Sequence, residues 1–297
     1  MSHPRVLVVH RRSAYTDFIA NQTSRIKKLI ESGDPLVASL VSAHDNHIAS
    51  METVEGVLRD RGVSATWRHD IGDLNPDTFD LVVTVGGDGT VLHASHAIEK
   101  TAVLAVNSSP STSVGFFTCT DAAHFGEFLD RVLDRRIQPR KLSRMEVRVN
   151  DRRVTDLALN DVLFCHDCPA STTRYVLGFN GTREDQLSSG VWVSTAAGST
   201  AAIKSAGGKA MAQGSRRLQF VVREPFPNGG AETQRPPRIT EGFIAEGDTL
   251  SIASKTEAAR LYVDGPHVVF SVDFGDMVSF SKSGKPLSIF GGEKKGP

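Results

Sequence analysis

The sequence predicts two domains of different class: an α/β domain over residues 1–138, to which 271–297 return, and a β-rich domain over 139–270. Three observations predict this. The first ~135 residues alternate apolar, β-branched runs with helical periods, as α/β domains do. After Pro139 the texture changes to short strand-like runs divided by turn signals. And 297 residues suffice for two ordinary domains with buried cores.

In the first domain, Arg5-Val6-Leu7-Val8-Val9 reads as a strand. Residues 47–60 place Ile48, Met51, Val54 and Leu58 on one helical face. Residues 65–67 and 80–85 read as strands, 90–98 as a helix, 103–106 as a fourth strand. Residues 122–133 read as an amphipathic helix with Phe125, Phe128, Leu129 and Val132 as its apolar members. In the second domain the expected strands are 144–149, 157–164, 175–179, 191–194, 218–222, 249–253 and 260–263. Asn150-Asp151, Asn180-Gly181 and Asp264-Gly265-Pro266 are the turn signals between them. A helical insertion is expected near Ser199, and the proline-rich stretch 224–240 reads as an exposed loop.

Lys+Arg and Asp+Glu are equal at 34 each, which leaves no electrostatic footprint for nucleic acid or an anionic membrane. No apolar run approaches the ~20 residues that span a bilayer, and no signal-peptide pattern opens the sequence. Three cysteines, Cys119, Cys165 and Cys168, make no disulfide framework and fit a reducing cytoplasm. Cys165-His166-Asp167-Cys168 has half a zinc motif but lacks a second ligand pair, so these cysteines read as structural or incidental. His93 and His96 likewise lack a third ligand.

The stretch with the most chemistry is LVVTVGGDGTVLHASHAI, residues 81–98. An apolar strand ending in a glycine-rich turn that opens a helix is a generic phosphate cradle, because glycines admit phosphate oxygens to the backbone and the helix N-terminus offers N–H groups. The Walker and Rossmann spacings are both absent. What remains, Gly86-Gly87-Asp88-Gly89-Thr90, projects a carboxylate toward whatever the glycines hold. An aspartate beside nucleotide phosphates suits phosphoryl transfer, orienting an attacking hydroxyl and accepting its proton. A helix N-cap is the plainer reading, but a cap alone does not need glycine on both sides. Leu159-Asn160-Asp161 puts an amide and a carboxylate in an apolar run, where ribose hydroxyls or an ordinary turn bond would satisfy them. Residues 194–202, STAAGSTAA, with Ser205-Ala206-Gly207-Gly208, are all small, suited to a helix start against a ligand or to close packing.

Taken together, GGDGT at 86–90, LND at 159–161, STAAGSTAA at 194–202 with SAGG at 205–208, and VDG at 263–265 resemble, in order and spacing, the NAD kinase family over essentially the whole chain. The branch that includes NADH kinases and mitochondrial-type NAD kinases is the most similar. GGDGT alone is shared with lipid kinases, where an Asn-Glu pair usually follows; here Val91-Leu92-His93 follows. The resemblance implies an NAD kinase-like two-domain fold and ATP-dependent phosphorylation of the adenosine-ribose 2′-hydroxyl of NAD+ or NADH. It implies Asp88 as proton acceptor and Gly89 against the dinucleotide. Phe116 becomes a pocket wall, Asn160 and Asp161 the ribose and adenine contacts, and Thr200, Ala201 and Ser205 the pocket lining. Gly86, Gly87, Thr90, Gly198 and Ser199 become the phosphate-facing groups. Mg2+ or another divalent cation would arrive on the ATP phosphates, with no protein cage. A homodimer or tetramer is implied, the neighbour completing the site. Where bacterial members carry a tyrosine and an aspartate, this chain has Ala202 and Ser189, which leans toward tolerance of NADH. The rival readings are a lipid or sugar kinase using the same turn, or a non-catalytic NAD or ATP sensor. Arg11, Arg12, Arg174 and His267 stay open between nucleotide contact and solvated surface.

Overall fold

The computed structural model describes residues 4–13, 15–16, 24–227 and 235–291. The chain folds into two compact units, residues 1–140 with 288–297, and residues 141–287.

The first unit is built on a sheet with β1 (Arg5–His10), β2 (Ser64–Arg68), β3 (Leu81–Gly86) and β4 (Val103–Asn107) in the order β2-β1-β3-β4, all parallel. The reason is legible in the residues. Val6, Leu7, Val8 and Val9 are fully buried, as are Val82, Val83 and Val85, the continuous apolar run that a sheet covered on both faces demands. A two-residue strand β5 (Thr120–Asp121) also pairs with β4, and the sheet continues through β19 (Leu287–Ile289) to β6 (Arg140–Leu142), the strands in which the chain crosses between units. The segment returning to this sheet is therefore shorter than the return expected over 271–297. Among the described residues, this unit carries the helices α1 (Ser24–Glu31), α2 (Pro35–Asp60), α3 (Asp88–Ser95) and α4 (Phe125–Leu133). α2 begins at Pro35 rather than near residue 47, because Asp34 caps it by accepting the Leu36 N–H at 2.9 Å and proline is pre-set for the first turn. Its buried Val54 and Leu58 share a core with Val83, Leu104, Phe125 and Leu129.

The second unit is a sandwich of two antiparallel six-stranded sheets. Its strands are β7 (Met145–Val149), β8 (Arg152–Ala158), β9 (Asp161–His166), β10 (Thr173–Phe179), β11 (Thr182–Ser188), β12 (Val191–Ser194), β13 (Leu218–Val222), β14 (Glu241–Ile244), β15 (Leu250–Ser254), β16 (Ala259–Val263), β17 (Val268–Val272) and β18 (Met277–Lys282). One sheet runs β11-β10-β15-β18-β7-β8 and the other β14-β13-β12-β9-β16-β17. Inward residues of both, including Val147, Phe164, Tyr175, Phe220, Ile252, Leu261 and Phe280, form one core. The helical insertion is a single turn, α5 (Ala202–Ser205). Of the expected loop 224–240, residues 228–234 lie outside the described residues.

Two expectations need correction. The run 157–164 is not one strand: β8 ends at Ala158 and β9 begins at Asp161, because the amides between them bond a side chain instead of a ladder. β11 lies outside the expected strands, as do β14, β17, β18 and most of β8. The β11 sequence, TREDQLS, is polar on both faces, yet Gln186 and Ser188 are buried and both bond the Tyr175 hydroxyl, at 3.2 and 2.8 Å.

Candidate active site

β3 carries the chain, buried throughout, to the carboxyl edge of the parallel sheet, where open α/β folds bind ligands. The turn that follows is packed closely around its first glycines. A Cβ on Gly86 would sit 2.1 Å from Thr90 Oγ1, and one on Gly87 3.0 Å from Ser113 Oγ. α3 starts at Asp88, with Gly87 in the N-cap position and its carbonyl accepting the Thr90 N–H at 3.0 Å. Asp88 is thus inside the helix and does not cap it. Its half-buried carboxylate crosses instead to the next loop, where Oδ2 accepts the Phe116 N–H at 2.9 Å and Oδ1 the Phe117 N–H at 2.7 Å. That loop is set by Gly115, at φ +58°, where a Cβ would lie 2.3 Å from Thr118 Oγ1. Each carboxylate oxygen keeps acceptor capacity beyond these two bonds. Gly89 is exposed, and Arg11 Nη1 lies 3.3 Å from where its Cβ would be. The structure therefore brings Asp88, Gly89, Phe116 and Arg11 together. Thr90, only 4% exposed, packs over Gly86 and does not reach outward.

A support absent from the sequence expectations lies beneath this turn. Ser108 donates its N–H to the Gly86 carbonyl at 3.1 Å, and its hydroxyl meets His47 Nδ1 at 3.0 Å. The His10 ring lies tilted against those of His47 and His69, with centroids 6.5 and 6.4 Å away; burial, then the proximity of those two rings, holds its imidazole below the usual histidine range. Histidines scattered over residues 10–69 give no local signal of this cluster.

In the second unit, Asn160 and Asp161 sit where β8 gives way to β9. Gly198 presses on them: a Cβ there would come within 2.1 Å of the Asn160 carbonyl oxygen. Thr195 donates its hydroxyl to the Leu159 carbonyl at 2.5 Å and its N–H to the Asn160 carbonyl at 3.0 Å. Asn160 Nδ2 donates to Asp161 Oδ2 at 3.2 Å. Burial, then the neighbouring Asp264 carboxylate, pushes the Asp161 carboxyl up to about 7. Beyond Gly198 the chain turns into α5; Thr200 and Ser205 are exposed and Ala201 half-buried. Ser199 departs from expectation. Fully buried, it donates its hydroxyl to the Ala196 carbonyl at 2.8 Å and accepts the Met211 N–H at 2.9 Å, so that hydroxyl faces inward.

Ser189 is not brought to this group. It precedes β12, and Ser194, at the other end of that strand, is the residue that pairs with Asp161. Ser189 lines a separate cavity of about 420 Å³ with Cys165, His166, Cys168, Trp192 and Tyr262. Both of those cysteines are free thiols, and among the described residues no group of three or more His, Cys, Asp or Glu could hold a metal ion. His93 lies 3.9 Å from Asp70. Arg12, Arg174 and His267 are exposed.

The family model described as the N-terminal domain of ATP-NAD kinase matches residues 6–137. A protein named probable NADH kinase from Oryza sativa subsp. japonica is 34% identical over 267 residues, 82% of this chain and 81% of the relative. The chain belongs to the NAD kinase family. Two solved family structures share its fold: an NAD kinase from Archaeoglobus fulgidus in complex with ATP, at 21% identity and TM-score 0.68, covering 98% of this chain and 94% of that one. Yeast NADH kinase complexed with NADH follows at 20% identity and TM-score 0.67, covering 98% and 84%. The α/β plus β-rich organisation expected from sequence is the NAD kinase fold. No helix among the described residues is long and apolar enough to cross a membrane.

Proposed function

We propose that this chain is an NAD(H) kinase that transfers the γ-phosphate of ATP to the 2′-hydroxyl of the adenosine ribose of NAD+ or NADH, forming NADP(H) and ADP. Membership of the NAD kinase family supports the reaction class and ATP as donor. The observation that carries the site assignment is the Asp88 carboxylate, at the start of α3 and anchored on the Phe116 and Phe117 amides, in a turn whose Gly86 leaves no room for a side chain. A base fixed in this way takes the 2′-hydroxyl proton as the ribose oxygen attacks the γ-phosphorus and the bond to the ADP oxygen breaks.

In this reading Gly89 and Phe116 lie against the dinucleotide, and Asn160 and Asp161 bond its ribose and adenine. Thr200, Ala201 and Ser205, open at the surface of their turn, line the pocket. Gly86, Gly87 and Gly198, packed closely against their neighbours, face the phosphates through their main chain, and Arg11 beside Gly89 supplies positive charge to the donor. Mg2+ or another divalent cation enters on the ATP phosphates and neutralises charge on the transferring group. Ser189 is a further dinucleotide contact in this reading, and the chain forms a homo-oligomer, a dimer or tetramer; light scattering of the purified protein tests the assembly, and a monomer active at all concentrations contradicts it. The compartment proposed is the cytoplasm, consistent with three free thiols.

The test is an acceptor panel with γ-labelled ATP. NAD+ or NADH is expected to take the label, and diacylglycerol and sugar phosphates to stay unlabelled; the reverse result overturns the reading. Calorimetry beside the assay settles the sensor alternative, since tight NAD(H) binding with no NADP(H) formed contradicts a kinase. With Ser189 and Ala202 in place of an acid and an aromatic ring, NADH is expected to be accepted alongside NAD+ when kcat/KM is compared, and a large preference for NAD+ contradicts this.

A further inference from the structure

The turn that carries Asn160 and Asp161 is held by a residue to which the sequence motif gave no role. Three consecutive main-chain N–H groups converge on the Asp264 carboxylate: Leu159 donates to Oδ2 at 2.8 Å, Asn160 to Oδ1 at 2.6 Å and Asp161 to Oδ1 at 3.1 Å. Asp264 returns its own N–H to the Asp161 carbonyl at 2.8 Å. Successive amides wrapped on one anion form a nest, and here the anion is a side chain of the protein itself. Asp264 reaches the nest by adopting φ +52° in the β16–β17 turn, with Gly265 at φ +116° behind it, a backbone that aspartate tolerates far better than a β-branched residue. From the other face, Gly198 and Thr195 hold the carbonyls of the same turn.

We propose that Asp264 is a positioning residue of the dinucleotide site: by clamping the amides of residues 159–161 it aims the Asn160 and Asp161 side chains, and its own charge faces the buried Asp161 carboxyl. This rests on the reading of Asn160 and Asp161 as dinucleotide contacts. Asp161 is 5% exposed and is faced by Asp264 from the β16–β17 turn, by uncharged Ser194 and Thr195 from β12 and its end, and by Asn160 on its own segment. Burial and that one neighbouring charge raise the Asp161 carboxyl. Asp161 is therefore expected to pass from hydrogen-bond donor to pure acceptor near neutral pH, burial contributing most of that rise and the Asp264 charge the remainder.

The experiment is steady-state kinetics against pH, from 5.5 to 8.5, of wild type, Asp264→Asn and Asp161→Asn, with both substrates varied. Asn at 264 keeps one acceptor oxygen and turns an N–H pair on the nest. It is expected to raise KM for NAD(H) on the order of 10-fold, as losing bonds to a charged acceptor does, with kcat within about 3-fold. The wild-type inflection of KM near neutral pH moves to lower pH in Asp264→Asn and vanishes in Asp161→Asn. A uniform loss of activity with the inflection unmoved marks Asp264 as merely structural and overturns the inference. Unchanged NAD(H) KM and inflection in both variants, with a changed KM for ATP, overturns the underlying assignment of Asn160 and Asp161 instead. If Asp264→Asn fails to fold, Asp264→Glu replaces it. Keeping the charge on a longer arm, it is expected to raise KM while retaining the inflection, and loss of the inflection there overturns the inference.

Discussion

Two turns in this chain solve one problem in different ways. At the end of β3 a single carboxylate, Asp88, both ties down a neighbouring loop and carries the proposed chemistry. At the start of β9 the tasks are divided: Asp264 accepts the main-chain amides, and Asp161 is left buried, its carboxyl taking a side-chain bond from Asn160. The difference follows from solvent. Asp88 is half-buried beside exposed Gly89. Asp161 is closed off between β12 and β16, so a second charge beside Asp264 is resisted by burial and repulsion together.

Substitutions can break this comparison, and their expected effects run from large to small. Asp88→Ala removes both acceptors of the Phe116 and Phe117 amides along with the base; NADP(H) formation is expected to fall by about 10²–10⁴-fold. Gly198→Ala tests whether the second turn is as tightly packed as the first, since the new methyl meets main chain, which cannot swing aside. Overpacking of this kind costs about 1–3 kcal/mol or more, read as a Tm lower by several degrees. An unchanged Tm would show that the turn yields.

Asp161→Asn separates the turns by pH. With its carboxyl raised from the usual ~4 to about 7, folded Asp161 binds more protons than the unfolded chain across that window, so wild-type stability falls as pH rises through it. The variant lacks this penalty. It should match wild type near pH 4 and exceed it at pH 8, by on the order of a few kcal/mol. A variant less stable than wild type at pH 8 contradicts the sign. The smallest effect is expected from Ser199→Ala, which deletes two inward bonds at about 1–3 kcal/mol of stability and leaves KM for ATP unchanged. A raised KM with an unaltered Tm would restore the phosphate-facing reading.

How far the sequence can be read depends on the range of the interaction. The parallel strands are plain because Val6–Val9 and Val82, Val83 and Val85 form buried apolar runs, a property of the local sequence itself. The glycine turn is plain because its geometry is local. Asp264 is visible within VDG, but its partners lie 103 to 105 positions earlier, and nothing nearby announces them. For the same reason the chain from 157 to 164 looks like one strand, although three of its amides are spoken for elsewhere. Ser199 misleads in the opposite direction: a hydroxyl in a small-residue motif suggests a ligand, and only the fold reveals Met211 as its partner. α2 begins at Pro35, twelve residues before the expected start at 47, and Asp34-Pro35 carries the local start signal.

The most direct test of the account is the single-turnover rate of phosphoryl transfer to NAD(H) by Asp88→Asn, with the Kd for NAD(H) measured on the same protein. Asparagine keeps one oxygen for the amides of residues 116 and 117 but cannot take a proton. The account predicts a rate at least about 10²-fold below wild type with Kd nearly unchanged. A transfer rate equal to wild type would contradict it.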